Sequence, residues 1–170
     1  ETLKVIINWD VLVDYVCGDH DARENLTRPK LTLTDAFTTE HIVAKAVSFL
    51  VTKKKVNEAQ LLVSVLLGSI KTEDSLLTRA LRTLPVGSAI ETARRLFLDH
   101  CLQIGLDLTD WTTVGIMAQY QIEGIISKDK NFDQVASLGD TRIPRITRIY
   151  EQAKDKGGKR NKAALIGGVV

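Results

Sequence analysis

Five side chains in this sequence carry oxygen where packing alone asks for carbon. Asn8 and Asp10 interrupt the apolar run VIINWDVLVDY, Glu40 falls on what reads as an apolar helix stripe, Asp110 opens a helix, and Asp129 follows the short apolar run GIIS. Hard oxygen donors select Mg²⁺ or Mn²⁺ rather than zinc. Such ions orient a water and stabilise the charge that develops at a phosphodiester. Several carboxylates in one cleft repel one another and take up protons unless a cation is present. Each residue also has an ordinary reading. Asp10 and Asp110 suit helix caps, Asp129 suits a turn, and Glu40 suits a surface pair with a lysine. Taken together, and placed after strands and at helix starts, they point to metal-assisted chemistry on a phosphodiester.

The elements that must position them follow from the apolar periodicity. LKVII (3–7) reads as a buried strand, and VLVDYV (11–16) begins a helix with Asp10 as its cap. Gly18 to Lys30 reads as a short helix or loop, and LTL (31–33) as a short strand. A helix is expected from Thr34 to about Leu50. Its stripe of Ala36, Val43, Val47 and Leu50 includes Glu40, and an unpaired carboxylate buried there costs on the order of several kcal/mol. Two helical segments are expected over about 57–70 and 72–83, with a break at LPVGS (84–88). SAIE (88–91) has the form of a capping box for a helix carrying Ile90, Ala93, Phe97, Cys101 and Ile104 on one face. A helix over about 110–121, the strand GIIS (124–127), a short helix over 131–139, a strand IPRI (143–146) and a last helix over 148–156 complete the reading. Strands separated by helices imply an α/β/α sandwich with a central parallel sheet. Open sheets of this kind bind ligands beyond the carboxyl ends of their strands, where Asn8, Asp10 and Asp129 fall.

With 170 residues, 44% hydrophobic and 26% charged, the chain has the composition of one globular domain, expected over 1–150, with a basic, glycine-containing tail over 151–170. A net charge of +2 permits nucleic acid as a partner without arguing for it. Cys17 and Cys101 form no metal or redox motif and read as reduced core thiols of a cytoplasmic protein. No apolar run approaches the length of a membrane span, so no membrane partner is expected. His20, His41 and His100 have no triad-like company and read as structural or surface residues.

Four segments, VIINWDVLVDY, LTLTDAFTTEHIV, LDLTDWTTVGIMAQ and GIISKDKNFDQV, resemble the landmark segments of the PIN domain family, which includes VapC-type toxin ribonucleases. The likeness spans about residues 3–147. The fourth segment is the most specific, with Ser127-Lys128-Asp129-Lys130-Asn131-Phe132 standing where the family has Thr-Arg-Asp-Lys-Asp-Phe. The resemblance implies that Glu40, Asp110 and Asp129 are metal-site acids, that Ser127 supports the site, and that Asp10 matches the third place of the first motif. Asn8 stands where the family has its first acid. An amide oxygen still ligates a hard cation but brings no negative charge. An introduced Asp-to-Asn change, a non-cleaving natural binder, and compensation by Asp10 are three explanations of it.

The expected activity is Mg²⁺- or Mn²⁺-dependent endoribonucleolytic hydrolysis, weakened by Asn8. The alternative is a catalytically inactive PIN module that binds RNA or a protein. An unrelated phosphoryl-transfer domain is a third reading, disfavoured by the absence of a Gly-rich phosphate loop. Trp9 and Trp111 each follow a candidate site residue and are candidates to stack RNA bases, and Lys128 and Lys130 flank Asp129 as candidate phosphate contacts. The resemblance further implies a homodimer and an antitoxin partner. The leucine-rich stretch 57–83 is a candidate interface.

Overall fold

Val5, Ile6 and Ile7 are at most 1% exposed in strand β1 (Lys4–Ile7), which is therefore covered on both faces, as a parallel sheet requires. The structure, a computed structural model, describes residues 3–27, 35–68, 70–71, 73–74 and 76–152. After β1 come helices α1 (Trp9–Val16) and α2 (His20–Thr27), strand β2 (Asp35–Thr39), and helices α3 (Glu40–Thr52) and α4 (Val56–Leu62). π-helical turns over Val63–Leu67 and Leu76–Ala80 lead to strand β3 (Leu81–Leu84). Helices α5 (Ala89–His100) and α6 (Leu108–Tyr120), strand β4 (Gly124–Ile126), a 3₁₀ segment (Lys130–Leu138) and strand β5 (Thr147–Ile149) follow.

All four strand pairings are parallel, and the strand order is β3-β2-β1-β4-β5. The chain winds from β1 outward through β2 to β3, then returns across the sheet to β4 on the other side of β1. The β1/β4 boundary is thus the topological switch point, where an open sheet leaves a crevice at the carboxyl ends of its strands. The α/β/α sandwich expected from the sequence is the architecture found. α1 packs on α3, and α5 packs on α6. Their contact is close: a Cβ at Gly115 would lie 2.9 Å from the Ala89 carbonyl oxygen, so glycine is required for α6 to sit where it does.

Several elements differ from expectation. The expected helix over 34–50 is a strand through Thr39 and a helix only from Glu40. The stretch 34–121 is therefore not all helical, since β2 and β3 lie within it. α3 buries Ile42, Val43, Ala46 and Leu50, and Glu40 lies off that face and exposed. Its expected burial is thereby corrected. Asn8, not Asp10, is the N-cap of α1. Ser88 makes no side-chain cap bond, and Glu91 instead pairs with Arg94 and Arg95. The face of α5 turned inward is Ala89, Ala93 and Leu96, while Ile90 is 48% exposed. The last strand is 147–149 rather than 143–146, and no helix begins at 148. Leu62, Leu66, Leu76 and Leu77 are core residues, which removes them from the expected interface. Cys17 is exposed rather than buried, and both cysteines are free. The expected strand 31–33 and most of the basic tail lie outside the described residues. Among the described residues no helix is long and apolar enough to cross a membrane.

Candidate active site

The carboxyl ends of β1 and β4 bring four of the sequence-predicted residues together around one hydroxyl. Ser127 Oγ accepts from Asn8 Nδ2 at 3.2 Å and from the Asp129 amide at 3.1 Å, and donates to Asp10 Oδ2 at 3.2 Å. The amide of Lys128 donates to Asp10 Oδ2 at 2.8 Å, and that of Val11 donates to Asp10 Oδ1 at 2.9 Å. The Asn8 amide donates to the Ile126 carbonyl at 3.0 Å, which locks the two strand ends in register. Burial pushes the Asp10 carboxyl above its ordinary pKa, in spite of these donors.

Asn8 is the unusual member. An N-cap asparagine ordinarily turns its side-chain oxygen onto the first-turn amides of its helix. Here Asp10 takes the Val11 amide, and Asn8 Oδ1 is buried without a hydrogen-bond partner. A buried carbonyl oxygen left in that state costs about 1–3 kcal/mol. It is the kind of atom that a cation or a water in the crevice would satisfy.

Asp110 belongs to a second cluster, at the starts of α3 and α6. Asp110 is 6% exposed and forms a capping box with Asp107: the Asp107 amide donates to Asp110 Oδ2 at 3.1 Å, and the Asp110 amide donates to Asp107 Oδ1 at 2.9 Å. Burial, followed by the negative charge of Asp107, pushes the Asp110 carboxyl up to about 7. Burial also opposes charge on Asp107, but the Asp110 amide and Lys45 outweigh it, and the Asp107 carboxyl stays below its ordinary pKa. Lys45 Nζ sits 2.9 Å from Asp107 Oδ2. Glu40 is the first residue of α3, at the carboxyl end of β2 and facing solvent.

His41 ties these helix starts to each other. Its Nε2 lies 3.1 Å from the Thr109 carbonyl and 3.0 Å from Thr113 Oγ1, and its Nδ1 lies 2.6 Å from Thr39 Oγ1. A carbonyl only accepts, so Nε2 carries the proton and Nδ1 accepts from Thr39. Thr39 Oγ1 in turn accepts from the Ile42 amide and caps α3. Burial lowers the His41 pKa to about 4, so the ring is neutral at pH 7. The structural role read from the sequence holds for His41, but its partners could not be seen there, because they lie on a distant helix.

Of the candidate RNA contacts, Trp111 is corrected: it is 0% exposed, beside His100, and has no face to offer a base. Trp9 is half-buried against Phe49. Lys128 pairs with Asp14, and Lys130 is exposed. Two clefts, of about 380 and 400 Å³, open elsewhere, the first between α5 and α6 and the second beside Asp140 and Arg145. Neither is lined by any of the candidate acids.

The donors fit a hard divalent cation in kind, being all oxygen, with the unpartnered Asn8 Oδ1 among them. They fall short in number. Among the described residues no group of three or more His, Cys, Asp or Glu side chains is assembled to hold an ion.

No family model and no curated protein matches the chain. Solved structures do. VapC20 of Mycobacterium tuberculosis, described as a sarcin-ricin loop cleaving toxin, matches with a TM-score of 0.60 at 15% identity, over 82% of this chain and 98% of that one. VapBC2 from Rickettsia felis, solved bound to a DNA fragment from its promoter, matches with a TM-score of 0.61 at 9% identity, over 88% and 100%. A toxin–antitoxin complex from Klebsiella pneumoniae matches with a TM-score of 0.50 at 15% identity, over 82% and 98%. The fold these comparisons show is PIN-like, an α/β/α sandwich around a parallel sheet. Within it, the architecture is that of the VapC toxins, to which this chain is similar in fold at low identity.

Proposed function

We propose that this chain is a PIN-type endoribonuclease of the toxin–antitoxin kind, hydrolysing RNA phosphodiesters with Mg²⁺ or Mn²⁺, and that Asn8 weakens it. The observation that carries the reading is the meeting of Asn8, Asp10, Ser127 and the Asp129 amide across the switch point, in a fold shared with VapC20, described as a sarcin-ricin loop cleaving toxin. Asn8, Glu40, Asp110 and Asp129 are the proposed ligands and catalytic residues. A bound divalent ion would supply a Lewis acid and lower the pKa of a water. Ser127 holds the Asn8 amide and the Asp10 carboxylate in fixed orientation, so that the Asn8 oxygen stays turned away from the helix amides. Lys128 and Lys130 lie on either side of Asp129 and favour a phosphate there. Hydrolysis by direct attack of water needs no covalent enzyme intermediate. The antitoxin partner, the homodimer and a cytoplasmic location belong to the same proposal.

A second reading is favoured by a specific observation. The missing charge at Asn8, together with the lack of a three-carboxylate group among the described residues, suits an inactive PIN module that binds RNA or a protein. One assay separates the two. The purified chain and its Asn8→Asp variant are incubated with structured and single-stranded RNA, with Mn²⁺ or EDTA. The nuclease reading expects Mn²⁺-dependent cleavage, faster in Asn8→Asp by about tenfold or more, and abolished by Asp129→Ala. If neither protein cuts while both bind RNA, the inactive module is the function.

A further inference from the structure

The face formed by α1 and α3 carries alternating rings and cations. Trp9 and Phe49 lie with ring centroids 5.3 Å apart at 54°. Lys45 Nζ stands 5.0 Å from the Trp9 ring centroid, and Lys53 Nζ stands 5.6 Å from that of Phe49. Lys45 and Phe49 on α3 and Lys53 at its C-cap recur every fourth residue, so they form one stripe about 12 Å long. Phe49 is 36% exposed, unusual for a ring that its own helix could have turned inward. At its inner end the stripe reaches the crevice: Trp9 follows Asn8, and Lys45 is paired with Asp107, the capping partner of Asp110.

An apolar protein surface wants rings without cations, and a bare phosphate site wants cations without rings. Rings interleaved with lysines suit a chain that alternates flat bases with phosphates. Single-stranded nucleic acid is that chain, and stacking on aromatic side chains is tolerant of sequence. We propose that the Lys45–Trp9–Phe49–Lys53 stripe is a binding track for single-stranded RNA, leading the strand into the β1/β4 crevice. The proposal rests on the nuclease or RNA-binding reading above and adds Lys45, Phe49 and Lys53 to the Trp9 that reading already contains. Trp9 becomes the inner stacking platform and Phe49 the outer one, while Lys53 takes the phosphate between them and solvent.

The test is equilibrium binding by fluorescence anisotropy in EDTA, so that no cleavage contributes. The probes are a labelled single-stranded RNA 12-mer of mixed sequence and an abasic ribose-phosphate chain of the same length. The wild-type protein is expected to prefer the RNA by about tenfold. Phe49→Leu, which keeps an apolar side chain and the fold, should lose most of that preference, and Phe49→Tyr should retain it. Lys53→Ala should lower the slope of log affinity against log salt by about 0.7, the value for one single-strand phosphate contact. Equal affinity for the two probes, or an unchanged preference in Phe49→Leu, overturns the proposal. It is overturned equally if Phe49→Leu leaves RNA binding intact and instead dissociates a dimer in sedimentation, which makes the stripe a contact between copies. Cleavage without base preference removes the track and leaves the nuclease reading standing. Base preference without any Mn²⁺-dependent cleavage does the reverse.

Discussion

On the β1/β4 side of the crevice, Asn8, Asp10 and the Asp129 backbone are joined through the Ser127 hydroxyl. On the α3/α6 side, a neutral imidazole holds two helix starts together, and the one buried carboxylate is bonded to its own helix cap. The first side has an oriented polar network that is short of negative charge. The second has a carboxyl whose pKa of about 7 leaves it poorly ionised without a cation. The difference teaches that a pocket can be geometrically prepared and still electrostatically incomplete. One side lacks a carboxylate and the other holds one that burial discourages from ionising.

The largest expected change comes from restoring charge on the first side. Asn8→Asp places a second carboxylate beside Asp10 and removes the donor to Ser127. In EDTA it should destabilise the protein by about 1–3 kcal/mol in urea melts. Millimolar Mn²⁺ should return most of that loss, with a much smaller effect on the wild type. A variant as stable as the wild type and indifferent to Mn²⁺ would erase the contrast between the two sides.

Cutting the bridge on the second side comes next. His41→Ala removes the partner of Thr39 and Thr109 and should cost about 1–3 kcal/mol. It should also change the pH dependence. In the folded protein His41 titrates at about 4, below its ordinary value of 6.5. The unfolded chain therefore binds the extra proton first as pH falls. The stability due to His41 is present above 6.5 and is lost as pH falls towards 4. His41→Ala should lack this acid-side loss, read as Tm against pH.

Asp110 has the opposite sign. Its folded pKa of about 7 lies above the ordinary 3.8, so its contribution is full below 3.8 and is lost as pH rises through 7. Asp110→Asn keeps an oxygen for the Asp107 amide and removes the charge. In EDTA it should be more stable than the wild type at pH 8, with the advantage vanishing near pH 4. An advantage independent of pH would mean that the Asp110 charge is not what burial opposes. The smallest effect belongs to Glu40→Ala. Exposed and outside both clusters, it should shift stability by no more than about 0.5 kcal/mol in EDTA. A larger loss would place Glu40 in the packing after all.

The residues after β1 and β4 were legible because an apolar run that stops at Asn-Trp-Asp or Ser-Lys-Asp marks a strand end whatever the tertiary structure. DAFTTE was not, because Ala36, Glu40 and Val43 happen to fit a helical spacing. The phenylalanine and two threonines of β2 favour a strand, and pairing with β1 and β3 decided the matter. The capping box was assigned to Ser88 and Glu91, whereas the pair at Asp107 and Asp110 makes it. Both have the right spacing, and Glu91 had arginines within reach one turn on. Trp111 reads as a base-stacking candidate in the sequence only because it follows Asp110, whereas its own ring is buried. Phe49 and Lys45 gave no signal, since their meaning depends on Trp9 from another helix.

Asn8 and Ser127 meet across 119 positions of chain, and β1, the third of five strands in the sheet, is flanked by β4. Translation delivers β1 before β4, so β1 must wait through the whole of β2 and β3 before that neighbour exists. A prematurely terminated product that ends before Gly124 carries half of the crevice and cannot complete it. The crevice therefore closes only once the chain has been extended through Ser127.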